Sequence, residues 1–218
     1  MQECVELKGV ILKSEPIGEY DRRIVILTDK RGKISAFARG ARKPNSRYVA
    51  GTGPFVFGQF KLFEGRNSYS LNDVEVLNYF DEFKSDMEAA YYGMYFLEVA
   101  DYYTRENNDE LMMLKLLYQS LRALLHDSMD NRLIKAVYEI KSTVVNGEFP
   151  GITAGLNVSE SAMHAVKFIT DSSIEKLYTF ALKPDVLKEL EMIASDTVKK
   201  VINHSFKSLE ILNGLSVG

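Results

Sequence analysis

The run Lys30-Arg31-Gly32-Lys33-Ile34-Ser35-Ala36-Phe37-Ala38-Arg39-Gly40-Ala41-Arg42-Lys43-Pro44-Asn45-Ser46-Arg47 holds seven basic residues in eighteen and no acid. Its first half alternates. Ile34, Ala36 and Ala38 share one face while Ser35 and Phe37 share the other, the period of two of a half-buried strand. Its second half gathers Arg39, Arg42, Lys43 and Arg47 around Gly40 and Pro44. A charge run of this kind is ordinarily a solvated loop. On the edge of a small barrel it is also what a phosphate backbone would bind.

The flanking sequence supplies that barrel. Val5, Leu7, Gly9 and Ile11 alternate with Glu6, Lys8 and Val10. Pro16-Ile17-Gly18-Glu19 is turn chemistry. Arg22 to Thr28 is β-branched at Ile24, Val25 and Ile26 and ends at Asp29-Lys30-Arg31-Gly32, a hairpin loop. Lys33 to Ala38 follows as a strand, and Gly40 to Pro54 as a long loop. Phe55, Phe57, Phe60, Leu62 and Phe63 mark a fourth strand. Glu64-Gly65-Arg66-Asn67 turns into a fifth, Ser68 to Leu77. Five short strands with no helical period predict a five-stranded OB-fold β-barrel over residues 1–80, because closure removes exposed strand edges.

After Tyr79 the period changes, and residues 81–218 read as a mostly α-helical C-terminal region. The fold class is therefore two-part α+β. Asp86 to Arg105 is apolar on nearly every face, which predicts a buried helix whose tyrosines serve packing rather than base stacking. Asn107-Asn108-Asp109 caps a second helix with Leu114, Leu117, Leu121, Leu124 and Leu125 as its stripe. Asp130-Asn131 starts a third, with Leu133, Val137, Ile140 and Val144 inward, and Gly147 to Gly151 stops it. Short segments follow at 160–169 and 174–182. Pro184 opens a last long helix at the position where proline is tolerated, and 207–212 forms the C-terminal segment.

Charge is divided between the halves. Residues 1–80 hold 13 Lys/Arg against 9 Asp/Glu, a net of +4, while 81–218 hold 14 against 21, a net of −7. A basic binding module joined to an acidic partner is the natural reading. Cys4 is the only cysteine, so an internal disulfide and a four-thiolate zinc site are both excluded. A reducing cytoplasm is expected. The N-terminal residues lack the pattern of a signal peptide, and no apolar run approaches the roughly 18 residues of a membrane span. Nucleotide-binding glycine loops, HExxH and CxxC are absent. His126, His164 and His204 are about 40 residues apart and read as helix-end or surface residues. Nothing argues for catalysis or for a cofactor, so a binding protein is expected rather than an enzyme.

The chain resembles the RecO family of bacterial recombination mediators. The resemblance rests on Gly9-Val10-Ile11-Leu12-Lys13, Gly18-Glu19-Tyr20-Asp21-Arg22, and above all Gly32 to Arg47. Weaker echoes are Tyr69-Ser70-Leu71 before Glu75, Asn146 to Pro150, and Phe206 to Leu209. The resemblance implies an N-terminal OB-fold, a helical C-terminal region, binding of single- and double-stranded DNA, and annealing of complementary strands. It also implies partnership with RecR and with the acidic C-terminal tail of single-stranded-DNA-binding protein, recombinase loading on gapped DNA, and a cytoplasmic, nucleoid-associated place. Many relatives carry a four-cysteine zinc module in the C-terminal half. Here the corresponding region, near 147–182, holds no cysteine, so it must rest on apolar packing.

On this reading phosphates meet Arg22, Arg23, Lys33, Arg39, Arg42, Lys43 and Arg47, with Lys13, Lys61 and Arg66 as a second tier. Arg39, Arg42 and Lys43 rank first because the Gly40–Pro44 loop can bring them close to a strand. Phe37 or Tyr48 could stack a base, although Phe37 could equally be barrel core. The helix from Leu111, with Lys115 and Arg122, is a candidate for the acidic tail. The rival readings are an OB-fold protein–protein adaptor and an RNA-binding protein.

Overall fold

The computed structural model describes residues 4–66, 68–126 and 128–215. The turn residue Asn67 lies outside the described residues. Five strands come first: β1 (Cys4–Ile17), β2 (Asp21–Thr28), β3 (Gly32–Ala38), β4 (Phe57–Glu64) and β5 (Tyr69–Asn78). They close into a barrel in the order β1-β2-β3-β5-β4, with β4 returning to β1. All neighbouring pairs are antiparallel except β3 with β5. This closed five-stranded barrel, followed by helices, is the OB-fold with its helical C-terminal region.

Alternation fills the barrel. Leu7, Ile11, Ile24, Ile26, Ile34, Ala36, Phe60 and Leu62 point inward and are buried, as strict period two requires. A bulge between Ile11 and Lys13 inserts Leu12 and reverses the parity of β1, so Lys13, Glu15 and Ile17 face outward. β1 runs on to Ile17 through Pro16, where a turn was expected. Its pairing with β4 stops at Val10, and proline is tolerated along such an unpaired edge. The turn is shorter than expected, Gly18 to Tyr20, with Gly18 at a φ of +55°.

The helices are α1 (Met87–Tyr103), α2 (Leu111–Ala123), α3 (Asn131–Val145), α4 (Glu160–Asp171), α5 (Pro184–Val201) and α6 (Lys207–Leu215). Of the expected segment at 174–182 only one 3-10 turn forms, Ile174–Lys176. By backbone contacts the chain divides into two compact units: 1–85 with 97–114, and 86–96 with 115–218. Residues 97–114 thus group with the barrel.

In the first unit, residues 97–107 run along the β2–β3 turn. The Lys33 N–H donates to the Arg105 carbonyl at 3.0 Å and the Asn107 N–H to the Arg31 carbonyl at 2.9 Å. Gly32 permits this approach. Its φ is +62°, and a Cβ there would stand 2.1 Å from the Arg105 carbonyl oxygen, so any side chain would force the two segments apart. Val10 and Leu27 are register partners on the outer face of the sheet. Both are fully buried, so this end of the outer face is closed to solvent.

In the second unit, α3 is buried on nearly all sides from Leu133 to Thr143. Asp130 caps it by accepting the Arg132 N–H, as its sequence predicts. The aromatics of the first half of α1 are packing groups: the Tyr95 hydroxyl donates to Glu139 at 2.7 Å and Phe96 stacks on Tyr138 at 4.2 Å. At the cysteine-free stretch 147–182, the buried Lys141 ammonium donates to the carbonyls of Ile169, Thr170 and Ser172 at 3.0, 2.9 and 2.7 Å. These lie at the C-terminus of α4, where carbonyls lack helical partners and carry the negative end of the dipole. No described helix is long and apolar enough to cross a membrane.

Candidate nucleic-acid interface

Strand register sorts the cations expected to meet phosphate. On β2, Ile24 and Ile26 point into the barrel, so Arg22 does too and Arg23 does not. Arg22 is half-buried and donates to Ser14 Oγ at 3.2 Å and to the Thr52 carbonyl at 3.4 Å. Arg23 is exposed, opposite Phe37 on β3 and Glu15 on β1. Its Nε donates to Ser35 Oγ at 2.9 Å, which leaves the terminal guanidinium nitrogens toward solvent.

Phe37 faces outward and is half-buried. It stands outside the barrel's core cluster, so it is not barrel core. Arg39 continues the outward parity of Phe37 past the end of β3 and is exposed. Among the described residues nothing hydrogen-bonds or ion-pairs with its side chain.

The loop after Arg39 is fixed by the β1–β2 turn. Asp21 Oδ1 accepts the Gly40 N–H at 2.7 Å. The Tyr20 carbonyl accepts the Arg42 N–H at 2.8 Å, and the Gly18 carbonyl accepts the Arg42 guanidinium at 3.2 Å. The Lys43 ammonium stands 5.6 Å from the centre of the exposed Tyr20 ring, within cation–π range. Gly40 has a φ of +67°, which reverses the chain and keeps Arg42 and Lys43 against this turn. Arg23, Arg39, Arg42 and Lys43 therefore share one end of the barrel with the aromatics Phe37 and Tyr20.

Of the remaining candidates, Lys13, Lys33, Arg47 and Lys61 pair with acids. Lys13 and Lys33 both reach Asp101, at 2.7 and 2.9 Å. Burial pushes the Asp101 carboxyl up, but the hydrogen bonds from the two lysines outweigh it and hold the group below its ordinary range. The Arg47 guanidinium donates to the Tyr48 hydroxyl and the Asn72 carbonyl at 2.6 and 2.8 Å and lies 3.6 Å from Asp73. Tyr48 packs against the barrel core and donates to the same Asn72 carbonyl, so its ring is committed. Lys61 pairs with Glu6 at 3.3 Å. Arg66 is exposed at the β4–β5 turn, on a polar cavity of about 410 Å³ shared with Glu64 and Glu106, whose charges oppose a phosphate there.

Three residues of this region escaped sequence reasoning. Asp101 sits 88 residues from Lys13, and its only local signal is an acid inside an apolar helix. Asp21 and Tyr20 lie in a turn next to Arg22 and Arg23, and a turn composition alone does not show which backbone groups it will hold.

The chain's relatives agree with this architecture. Residues 1–80 match the family described as Recombination protein O N terminal and residues 84–155 match Recombination protein O C terminal. The chain is 26% identical to the DNA repair protein RecO of Clostridium novyi, over 95% of this chain and 93% of that one. The corresponding protein of Acetivibrio thermocellus is 26% identical over 97% of each. That of Clostridium acetobutylicum is 28% identical over 94% of this chain and 96% of its own. With a closed barrel matching the first domain and helices following into the second, the chain belongs to the RecO family.

Proposed function

We propose that the protein acts in DNA repair by binding single- and double-stranded DNA without sequence preference, at the barrel end that carries Arg23, Arg39, Arg42 and Lys43. The observation that carries this reading is the grouping of four exposed cations, none ion-paired to an acid among the described residues, beside the outward aromatics Phe37 and Tyr20. Cations follow a backbone and aromatic faces stack bases, which is sequence-tolerant single-strand binding. Two strands held with their phosphates screened and their bases accessible can pair, which supplies annealing. On family grounds RecR is the partner in loading recombinase on gapped DNA. The acidic tail of single-stranded-DNA-binding protein is proposed for α2, where Lys115 and Arg122 are exposed. The role is that of a mediator rather than an enzyme.

The test is fluorescence anisotropy on a labelled strand of about 30 nucleotides across a salt series. Four phosphate contacts give a log–log slope of about −3 on single strands. An Arg39/Arg42/Lys43-to-Ala variant should bind weakly with a slope near −1. A flat response in the wild type sinks this reading in favour of a protein adaptor, and a strong preference for RNA of equal length favours the RNA reading.

A further inference from the structure

Asp101, near the C-terminal end of α1, holds two barrel lysines at once. Its Oδ2 accepts Lys13 Nζ at 2.7 Å and its Oδ1 accepts Lys33 Nζ at 2.9 Å; Lys33 also donates to the Asp101 carbonyl at 2.5 Å. The lysines come from β1 and β3, on either side of β2. Lys13 is in register with Val25, and Val25 with Ser35, the next outward residue after Lys33. Both ammoniums leave the outer face and converge over β2. One oxygen per ammonium is also how two lysines hold a phosphate, as charge-assisted hydrogen bonds to separate oxygens. One outward row further along the same sheet stand Arg23 and Phe37. Lys13 and Lys33 thus lie on the same outer face as Arg23, whose register partner on β1 is the exposed Glu15.

We propose that Lys13 and Lys33 form a phosphate site that Asp101 keeps closed, its carboxylate standing where a phosphate of a longer bound strand would sit. The proposal rests on the DNA-binding reading above and adds to it a regulated end of the strand path. The site is reachable: the Lys13 side chain is 46% exposed and that of Asp101 22%. The segment carrying Asp101 is also tethered independently of that carboxylate, by the backbone bonds Lys33 N–H to Arg105 and Asn107 N–H to Arg31. Removing the charge therefore opens the site without releasing the segment. In the intact protein, any event that draws residues 97–105 away adds two cations to the path.

The experiment compares wild type, Asp101→Asn, Lys13→Ala and the double variant on the same labelled strand across a salt series. Two added contacts steepen the slope by about 1.4. Raising salt from about 50 to 200 mM then costs Asp101→Asn about sevenfold more affinity than it costs wild type. Lys13→Ala should be silent in the wild-type background and should remove about half of the gain in Asp101→Asn. An Asp101→Asn slope equal to wild type overturns the proposal. So does a Lys13→Ala slope flatter than wild type, a comparison that needs no Asp101 variant to fold. A wild type without salt-dependent binding is a different failure, that of the DNA-binding reading itself.

Discussion

The Asp21 carboxylate accepts the Gly40 N–H at 2.7 Å, which puts an acid at the root of the most basic loop in the chain. Long-range electrostatics alone would make this acid a liability, because it lowers the potential that attracts phosphate. Its geometry argues the opposite. It fixes the residue where the chain reverses, and with Arg42 bonded to Tyr20 and Gly18 it sets where Arg39, Arg42 and Lys43 can reach. Pre-ordering removes a cost that would otherwise be met on binding. Asp21→Ala is expected to weaken DNA binding roughly two- to tenfold, the worth of one such hydrogen bond, although it makes the loop more positive. Anisotropy at fixed salt checks the sign, and tighter binding would show that the acid acts only through its charge.

Phe37 is expected to contribute by stacking. Its ring lies outside the barrel core and beside Arg23, so Phe37→Ala leaves the interior packing intact. Base–aromatic stacking is worth about 1–3 kcal/mol by alanine substitution. The variant should therefore lose roughly tenfold or more in single-strand affinity while melting within a few degrees of wild type. Duplex DNA, whose bases are already stacked, should lose much less. An equal loss on both would make Phe37 a support for Arg23 rather than a stacking surface.

The barrel was legible because period two is local. Ile34, Ala36 and Ala38 announce their common face within five residues, and the proline at Pro184 announces its helix in one. The cationic site was legible only as a composition. The partners that sort its members lie far away in sequence: Asp101 for Lys13 and Lys33, Asn72 and Asp73 for Arg47, Glu6 for Lys61. No window of residues around Lys33 contains the carboxylate that holds it. One distinction is local. Ile24 and Ile26 fix the parity of β2, and that parity turns Arg22 into the barrel and Arg23 out of it. The bulge at Leu12 was not available, since a run of Val10, Ile11 and Leu12 suits either parity.

Acidification should report the Asp101 pairings as stability. Opposed by burial, the hydrogen bonds from Lys13 and Lys33 still hold this carboxyl below its ordinary value of 3.8 in the folded protein. A depressed carboxyl stabilises the fold above its unfolded value, and that contribution is lost as pH falls through the lower folded one. Asp101→Asn should therefore unfold at lower urea than wild type at pH 7. The gap should begin to narrow as pH falls through the ordinary carboxyl range and go on narrowing below it, where the folded carboxyl takes up its proton. A gap that persists unchanged at pH 3 would assign the loss to the amide's shape rather than to the charge.

Lys141 is the residue on which the cysteine-free C-terminal unit most visibly depends. Its side chain is 6% exposed, and burial lowers the affinity of its amine for a proton while Asp171 opposes the shift. The ammonium nevertheless has three carbonyl partners, at Ile169, Thr170 and Ser172, where α4 ends. Lys141→Met keeps most of the aliphatic stem and removes the donor, leaving those carbonyls short of partners in a partly buried place. Hydrogen bonds to charged groups contribute about 1.5–3 kcal/mol each, offset here by the cost of burying the charge. A net loss of about 2–3 kcal/mol in urea unfolding is expected. Hydrogen exchange should localise it, with amides of α4 losing protection while those of β1 to β5 keep theirs. Equal loss in the barrel strands would mean that the two units unfold as one, and unchanged protection in α4 would mean that water replaces the ammonium at no cost.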